Sequence, residues 1–371
     1  MLRLRLAAFL LGIAAVLPPA SAQPGTPVKA HAALVHAVAV SPDGKTLATA
    51  GFDGTVKVWE VAADGSLKEK AVLKGHTGPV YAVAFNPKDQ TLASSSLDKT
   101  IRVWTLADGK TTQEIKGHTD IVDTIAFSPD GKTLASAGAD KSVRLWNPAD
   151  GKEVKNLGAH GGSVYSVAFS PDGKTLASAG ADNVVKTWDV ATHKELRALK
   201  GHEIPVTAVA FTDDKTLVSV SMDRTIRLWN LTAPMAPEVK KDPEAKKDAK
   251  ELVEKKDTKD KKEPEKKDAK DKKEMAKKEP EKKDVKDPAE VKKLGPTPDD
   301  PYAVAWDAKS KTIAVCGYSG LVSVWKADGE RPTFSKAIKS PGYCVVFSGD
   351  GKALISGHDN GTVVVTPISA K

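Results

Sequence analysis

Four times in this chain a histidine is followed 28 residues later by a tryptophan: His31 and Trp59, His76 and Trp104, His118 and Trp146, His160 and Trp188. A fifth pair, His202 and Trp229, is 27 apart. The copy from Gly117 to Trp146 carries the whole frame: Gly-His, an apolar run from Val122 to Phe127, the turn Ser128-Pro129-Asp130-Gly131, an apolar stretch from Thr133 to Ala137, a tight turn at Asp140, and a run ending in Trp146. A period this steady restricts the chain to stacked supersecondary units, each burying its faces against the next.

The runs are short and bounded by turn residues, so they read as strands. The first run of each repeat, such as VDTIAF, VYSVAF or VTAVAF, is apolar on both faces and suits a strand buried between neighbouring units. In Ser-Pro-Asp-Gly, at Ser41–Gly44, Ser128–Gly131 and Ser170–Gly173, Pro presets φ, Asp bonds its own backbone and Gly takes positive φ.

On these residues the chain resembles the WD40 family. The resemblance implies an all-β, seven-bladed propeller with four antiparallel strands per blade. Repeat length supports seven: repeats near ~41 residues account for what remains once the amino-terminal segment and a long insertion are set aside. Val28-Lys29-Ala30-His31 aligns with Leu73-Lys74-Gly75-His76, yet precedes any blade it could follow. In the family such a strand completes the last blade. Here the last repeat ends at Thr362–Ile368 without a fourth strand, so Val28–Ala30 is expected to close the ring and remove two open edges.

The resemblance also implies a buried chain from Trp to Ser or Thr, to His, to Asp. Blade one would use Trp59, Thr49, His31 and Asp53; blade two Trp104, Ser94, His76 and Asp98. Blade three would use Trp146, Ser136, His118 and Asp140; blade four Trp188, Ser178, His160 and Asp182; blade five Trp229, Ser219, His202 and Asp223. An indole donates only, a hydroxyl gives and takes, and an imidazole links hydroxyl to carboxylate. Five copies of one constellation argue for structure rather than catalysis. Blades six and seven depart: Val315 and Ser319 replace Ser and Asp in one, while Thr366 replaces Trp and Asn360 replaces Asp in the other. His358 is expected near a turn, outside any such chain.

Composition breaks at residues 234–296, a Lys/Glu/Asp-rich low-complexity insertion without aromatics. KKEPEKKDAKD at 261–271 returns as KKEPEKKDVKD at 277–287. So polar a segment cannot bury a core and is expected to be disordered. It falls between the third and fourth strands of blade five, on the side opposite the Gly-His loops. The propeller parts are residues 23–233 (blades one to five) and 297–371 (blades six and seven). The net charge of +8 invites a nucleic-acid reading, but Glu238 to Lys293 carries 22 Lys against 18 acidic residues. The propeller itself is nearly neutral and lacks the basic stripe that phosphate backbones require.

Met1 to Ala22 reads as a signal peptide: Arg3 and Arg5, an apolar core from Leu6 to Leu17, and Ala20-Ser21-Ala22 as the cleavage site. The core is shorter than the ~20 residues a spanning helix needs. An exported, periplasmic or extracellular protein is expected, with no integral segment after cleavage. Two cysteines, Cys316 and Cys344, are too few for a disulfide framework. Two buried thiols and one bridge between adjacent blades both remain open.

No metalloprotease, nucleophile-elbow or phosphate-loop motif and no metal-ligand spacing is found, so no catalytic residue, metal or cofactor is assigned. Tyr81, Tyr165, Tyr302 and Tyr343 share one aligned position at the start of the innermost strands. Tyr318 sits in a turn with Phe52, Leu97 and Met222 at the matching places, and Leu34 and Ile121 precede innermost strands. By propeller topology all lie at the Gly-His rim, where Tyr enrichment marks docking surfaces. The expected role is a monomeric, non-enzymatic scaffold binding a protein or peptide there. Two alternatives are a small molecule held in the channel, where Asp123, Asp300 and Asp359 are the polar exceptions, and an anionic envelope polymer held by the charged insertion.

Overall fold

The computed structural model describes residues 25–234 and 287–368. The expected signal peptide and most of the insertion lie outside them. The described chain forms 28 strands in seven four-stranded antiparallel sheets. In blade one the strands are Val35–Val40, Thr46–Gly51, Thr55–Val61 and Leu67–Lys74, hydrogen-bonded in chain order. The innermost strands pack side by side around the axis, and that of blade seven, Gly342–Phe347, meets that of blade one.

Closure follows the expected exchange. Val28–Lys29 joins the sheet of blade seven, with Val28 opposite Val363 and Lys29 opposite Thr362. Blade seven thereby gains the fourth strand that the carboxy-terminal repeat lacks.

The core lies between blades rather than inside any one sheet. Each of the seven interfaces has its own apolar cluster. At the interface of blades two and three, Ile101, Val103 and Ile115 of one sheet pack on Val122, Leu134 and Trp146 of the next. The interface of blades six and seven has no Trp: Thr366 stands in that slot beside Ala314, Cys316, Val345 and Leu354. Cys316 and Cys344 are buried free thiols, so the bridge is not formed. Burial pushes the Cys344 thiol up to about 12.

The turns behave as their chemistry dictates. Ser128 Oγ donates to Asp130 at 2.6 Å, the Lys132 amide donates to Asp130 at 3.0 Å, and Gly131 takes φ +72°. Gly117 is required for space: a Cβ there would lie 2.7 Å from the Trp146 ring.

One boundary differs from the sequence reading. Glu290–Leu294, inside the 234–296 insertion, is the fourth strand of blade five, with Ile226 opposite Leu294 and Trp229 opposite Glu290. The two ends of the insertion meet at the base of this sheet, where Thr216 pairs with Asn230 and the Asn230 amide donates to the Ala289 carbonyl. That is the end opposite the Gly-His loops. Arg227 and Glu290 form a buried ion pair in the place of Lys57–Glu69, Arg144–Glu153 and Lys186–Glu195. The sequence carried a signal for this strand, since Glu290-Val291-Lys292-Lys293-Leu294 nearly repeats Glu153-Val154-Lys155-Asn156-Leu157. Its lysines hid it among the charged residues.

Candidate docking face

The Gly-His rim is built on five hydrogen-bonded tetrads. In blade three the Trp146 indole donates to Ser136 Oγ at 2.7 Å, Ser136 lies 2.6 Å from His118 Nε2, and His118 Nδ1 lies 2.8 Å from Asp140. The carboxylate only accepts, so Nδ1 carries the proton and Nε2 accepts from the serine. Trp59, Thr49, His31 and Asp53 meet in the same way, with Nδ1 to Asp at 3.0 Å, as do Trp104, Ser94, His76 and Asp98, at 2.9 Å. So do Trp188, Ser178, His160 and Asp182, at 3.0 Å, and Trp229, Ser219, His202 and Asp223, at 2.8 Å. Each Asp also accepts the amide that follows the His, as Asp98 does from Thr77 at 3.0 Å, which fastens the rim loop to the sheet.

Burial lowers the pKa of all five histidines, more than the neighbouring carboxylates raise it. Burial alone would raise the aspartates, but hydrogen bonds outweigh it. Asp98, bonded by Thr100, Thr77 and His76, is held at about 2. At neutral pH each tetrad therefore pairs a neutral imidazole with an ionised carboxylate.

The two divergent blades are rebuilt. In blade seven His358 is fully buried, with Nε2 2.8 Å from Ser356 Oγ and Nδ1 donating to the Ser340 carbonyl at 3.0 Å. His358 stands at the end of the second strand, beside the turn, and its ring partners are a serine and a backbone carbonyl rather than a Trp-linked serine and an Asp. Asn360 does not meet it but caps the turn, accepting from the Thr362 amide at 3.0 Å. Thr366 Oγ1 is buried with no hydrogen-bond partner among the described residues. In blade six Trp325 donates instead to Ser323 at 3.0 Å, Val315 joins the core, and the Ser319 amide donates to Asp299.

Every innermost strand is bulged at its second residue. Val35 pairs with Gly51 and Ala37 with Ala50, which leaves His36 without a partner, and the same irregularity isolates Tyr81, Asp123, Tyr165, Thr207, Tyr302 and Tyr343. A bulge turns its side chain away from the sheet. Here seven such turns are set around one mouth.

Five of the rings form a continuous arc. Tyr302 and Tyr343 stack at 5.1 Å with 3° between planes. Tyr343 lies 6.1 Å from His36, which stacks on Phe52 at 5.3 Å and meets Tyr81 at 4.8 Å, and Phe52 lies 5.0 Å from Tyr81. The arc spans blades six, seven, one and two, across the closure. His36 was not singled out from the sequence, although its position aligns with the tyrosines. Its Nδ1 donates to the Tyr81 carbonyl at 2.7 Å, and burial lowers its pKa.

The remaining rim residues do not extend the arc. Tyr165, 39% exposed, stacks on no described ring, and Thr207 is buried, its hydroxyl donating to the Pro301 carbonyl at 2.8 Å. Leu34, Ile121 and Met222 are half-buried. Leu97 and Ile204 are exposed, and Tyr318, at 62%, is the most exposed large hydrophobic among the described residues. Asp123 is raised to about 7 by burial first, then by Asp120 and Asp140. The stacked rings thus occupy the sector of blades six, seven, one and two, while Tyr165 and most of the apolar rim residues lie outside it.

Among the described residues no helix is long and apolar enough to cross a membrane. Comparison with curated proteins gives no match. The model for the WD domain, G-beta repeat, matches residues 23–60, 67–105, 109–147, 151–189 and 193–230. Those five matches hold the five complete tetrads, and they cover more than half of the sequence. WD40 propellers are in general non-catalytic platforms for proteins or peptides. With its seven sheets, five tetrads and five matching repeats, this chain belongs to the WD40 family.

Proposed function

We propose that this protein is a non-enzymatic scaffold that docks a protein or peptide segment on the Gly-His rim, over the arc from Tyr81 to Tyr302. The observation that carries the reading is the joining of Tyr302, Tyr343, His36, Phe52 and Tyr81, each half-buried, into one aromatic surface at the mouth. Aromatic side chains bring large contact area at low entropic cost and dominate binding hot spots. The tetrads beneath hold the rim loops rigid, so a partner meets a preorganised surface.

Affinity capture from the native cell envelope with wild type and a Tyr81→Ala/Tyr302→Ala/Tyr343→Ala variant tests this. The variant is expected to lose a partner that wild type retains. Equal recovery of every partner overturns the reading. Export belongs to the same proposal, supported by Arg3, Arg5, the apolar run and the Ala20-Ser21-Ala22 site. Amino-terminal sequencing of the native protein is expected to begin at Gln23.

A further inference from the structure

The chain carries +8 overall, yet its Gly-His rim is acidic. On the rim loops, Asp120, Glu203, Asp299, Asp300 and Asp359 stand against Lys29, Lys74, Lys99, Lys116, Lys141, Lys200, Arg224 and Lys339; only with the five tetrad carboxylates do the acidic groups outnumber the basic ones. The neutral histidines beside those carboxylates leave their charge uncompensated.

At blades six and seven two carboxylates form no ion pair among the described residues. Asp300 is taken by Arg224 at 3.0 Å. Asp299 receives only the Ser319 amide and Asp359 only the Ser340 hydroxyl, and neither forms an ion pair among the described residues. Both flank the stacked tyrosines. Burial, Tyr343, Asp300, Tyr318 and Asp299 raise the Tyr302 phenol, and burial, Asp359 and Tyr318 raise that of Tyr343. Neutral phenol faces beside unpaired carboxylates attract a cation through the ring quadrupole and through charge together.

We infer that the segment docked on this rim presents a lysine or arginine side chain, seated on the Tyr302–Tyr343 stack between Asp299 and Asp359. The inference rests on the docking reading and adds the partner's chemistry to it: a basic, extended peptide rather than an acidic or neutral one.

Fluorescence anisotropy with the full chain and three labelled peptides of equal length tests it, one alternating Lys with Gly, one Glu with Gly and one Ser with Gly. The Lys peptide is expected to bind and the Glu peptide not. Tyr302→Ala/Tyr343→Ala weakens the Lys peptide about tenfold. Asp299→Asn/Asp359→Asn keeps both hydrogen-bond acceptors and weakens it by a similar factor, with a flatter salt dependence. A Ser or Glu peptide that binds as tightly, and loses affinity in the Tyr variant, overturns the cationic partner and leaves docking standing. Lys-peptide binding untouched by both variants places it elsewhere and overturns the inference. No binding by any peptide overturns both. Affinity that rises tenfold on deletion of residues 235–286 identifies the chain's own Lys-rich segment as the occupant and overturns a separate partner.

Discussion

Trp146 and Ser136, on neighbouring strands of blade three, are joined by an indole hydrogen bond of 2.7 Å, with Trp146 itself 1% exposed at the interface with blade two. One residue thus works in two directions, packing blade on blade and orienting the hydroxyl that serves His118. Trp146→Ala is expected to cost about 3–5 kcal/mol. Trp146→Phe keeps most of the packing and removes the donor, at about 1–3 kcal/mol. Urea unfolding of both variants checks the order.

Acid stability follows from the tetrads. A histidine with a lowered folded pKa stays neutral when its unfolded counterpart protonates, so the unfolded state binds more protons as pH falls below about 6.5. Stability conferred by His31, His76, His118, His160 and His202 is therefore present above that value and lost as pH falls through the folded pKa. The tetrad aspartates, held low, lose theirs in a second window below about 3.8. Melting temperature against pH is expected to decline in two stages. A flat profile between pH 7 and 5 contradicts the neutral-imidazole assignment.

Asp123 has the opposite sign. Its carboxyl, raised to about 7, resists ionisation in the folded state, so it costs stability increasingly as pH rises from about 4 towards that value. Asp123→Asn is expected to raise the melting temperature at pH 8 and to leave it nearly unchanged at pH 4. Melts of both proteins at the two pH values decide it.

Thr366 carries a buried hydroxyl with no partner where other blades have Trp. Thr366→Val keeps the shape and removes that orphan, for a gain of about 1 kcal/mol. Denaturant midpoints compare the two.

Residues 235–286 separate the third and fourth strands of blade five, whose ends already meet through Asn230 and Ala289. Loop-closure entropy grows as the logarithm of length, so exchanging them for a short Gly-Ser linker is expected to stabilise the ring by about 2 kcal/mol. A loss of the same size in thermal or urea unfolding would mean that the segment supports the fold.

The strands, turns and tetrad members were legible because they obey short-range rules. Ser128-Pro129-Asp130-Gly131 makes its own turn, and the spacing from His118 to Asp140 and Trp146 is set by hairpins of constant length. The fourth strand of blade five was not, because Glu290–Leu294 owes its place to Arg227 and to an unpaired edge, both distant in sequence. The ring contacts of His358 were not legible for a related reason. Its serine partner lies only two residues away, but the carbonyl that orients its ring belongs to Ser340 on another loop.

By itself the sequence determined the repeat with its strands and turns, since these depend on local hydrogen bonding and on periodic apolar residues; the closing strand, which pairs Val28 with Val363, was read from the resemblance to WD40 propellers. Tertiary structure decided which side chains meet at the rim. His36 and Tyr343 are neighbours only because the ring curves until its first and last blades touch, and the Asp123 carboxyl is raised to about 7 chiefly because folding buries it, with Asp120 and Asp140 adding to the shift. Curvature and shared burial arise from packing all seven sheets together, and no window of the chain encodes them alone.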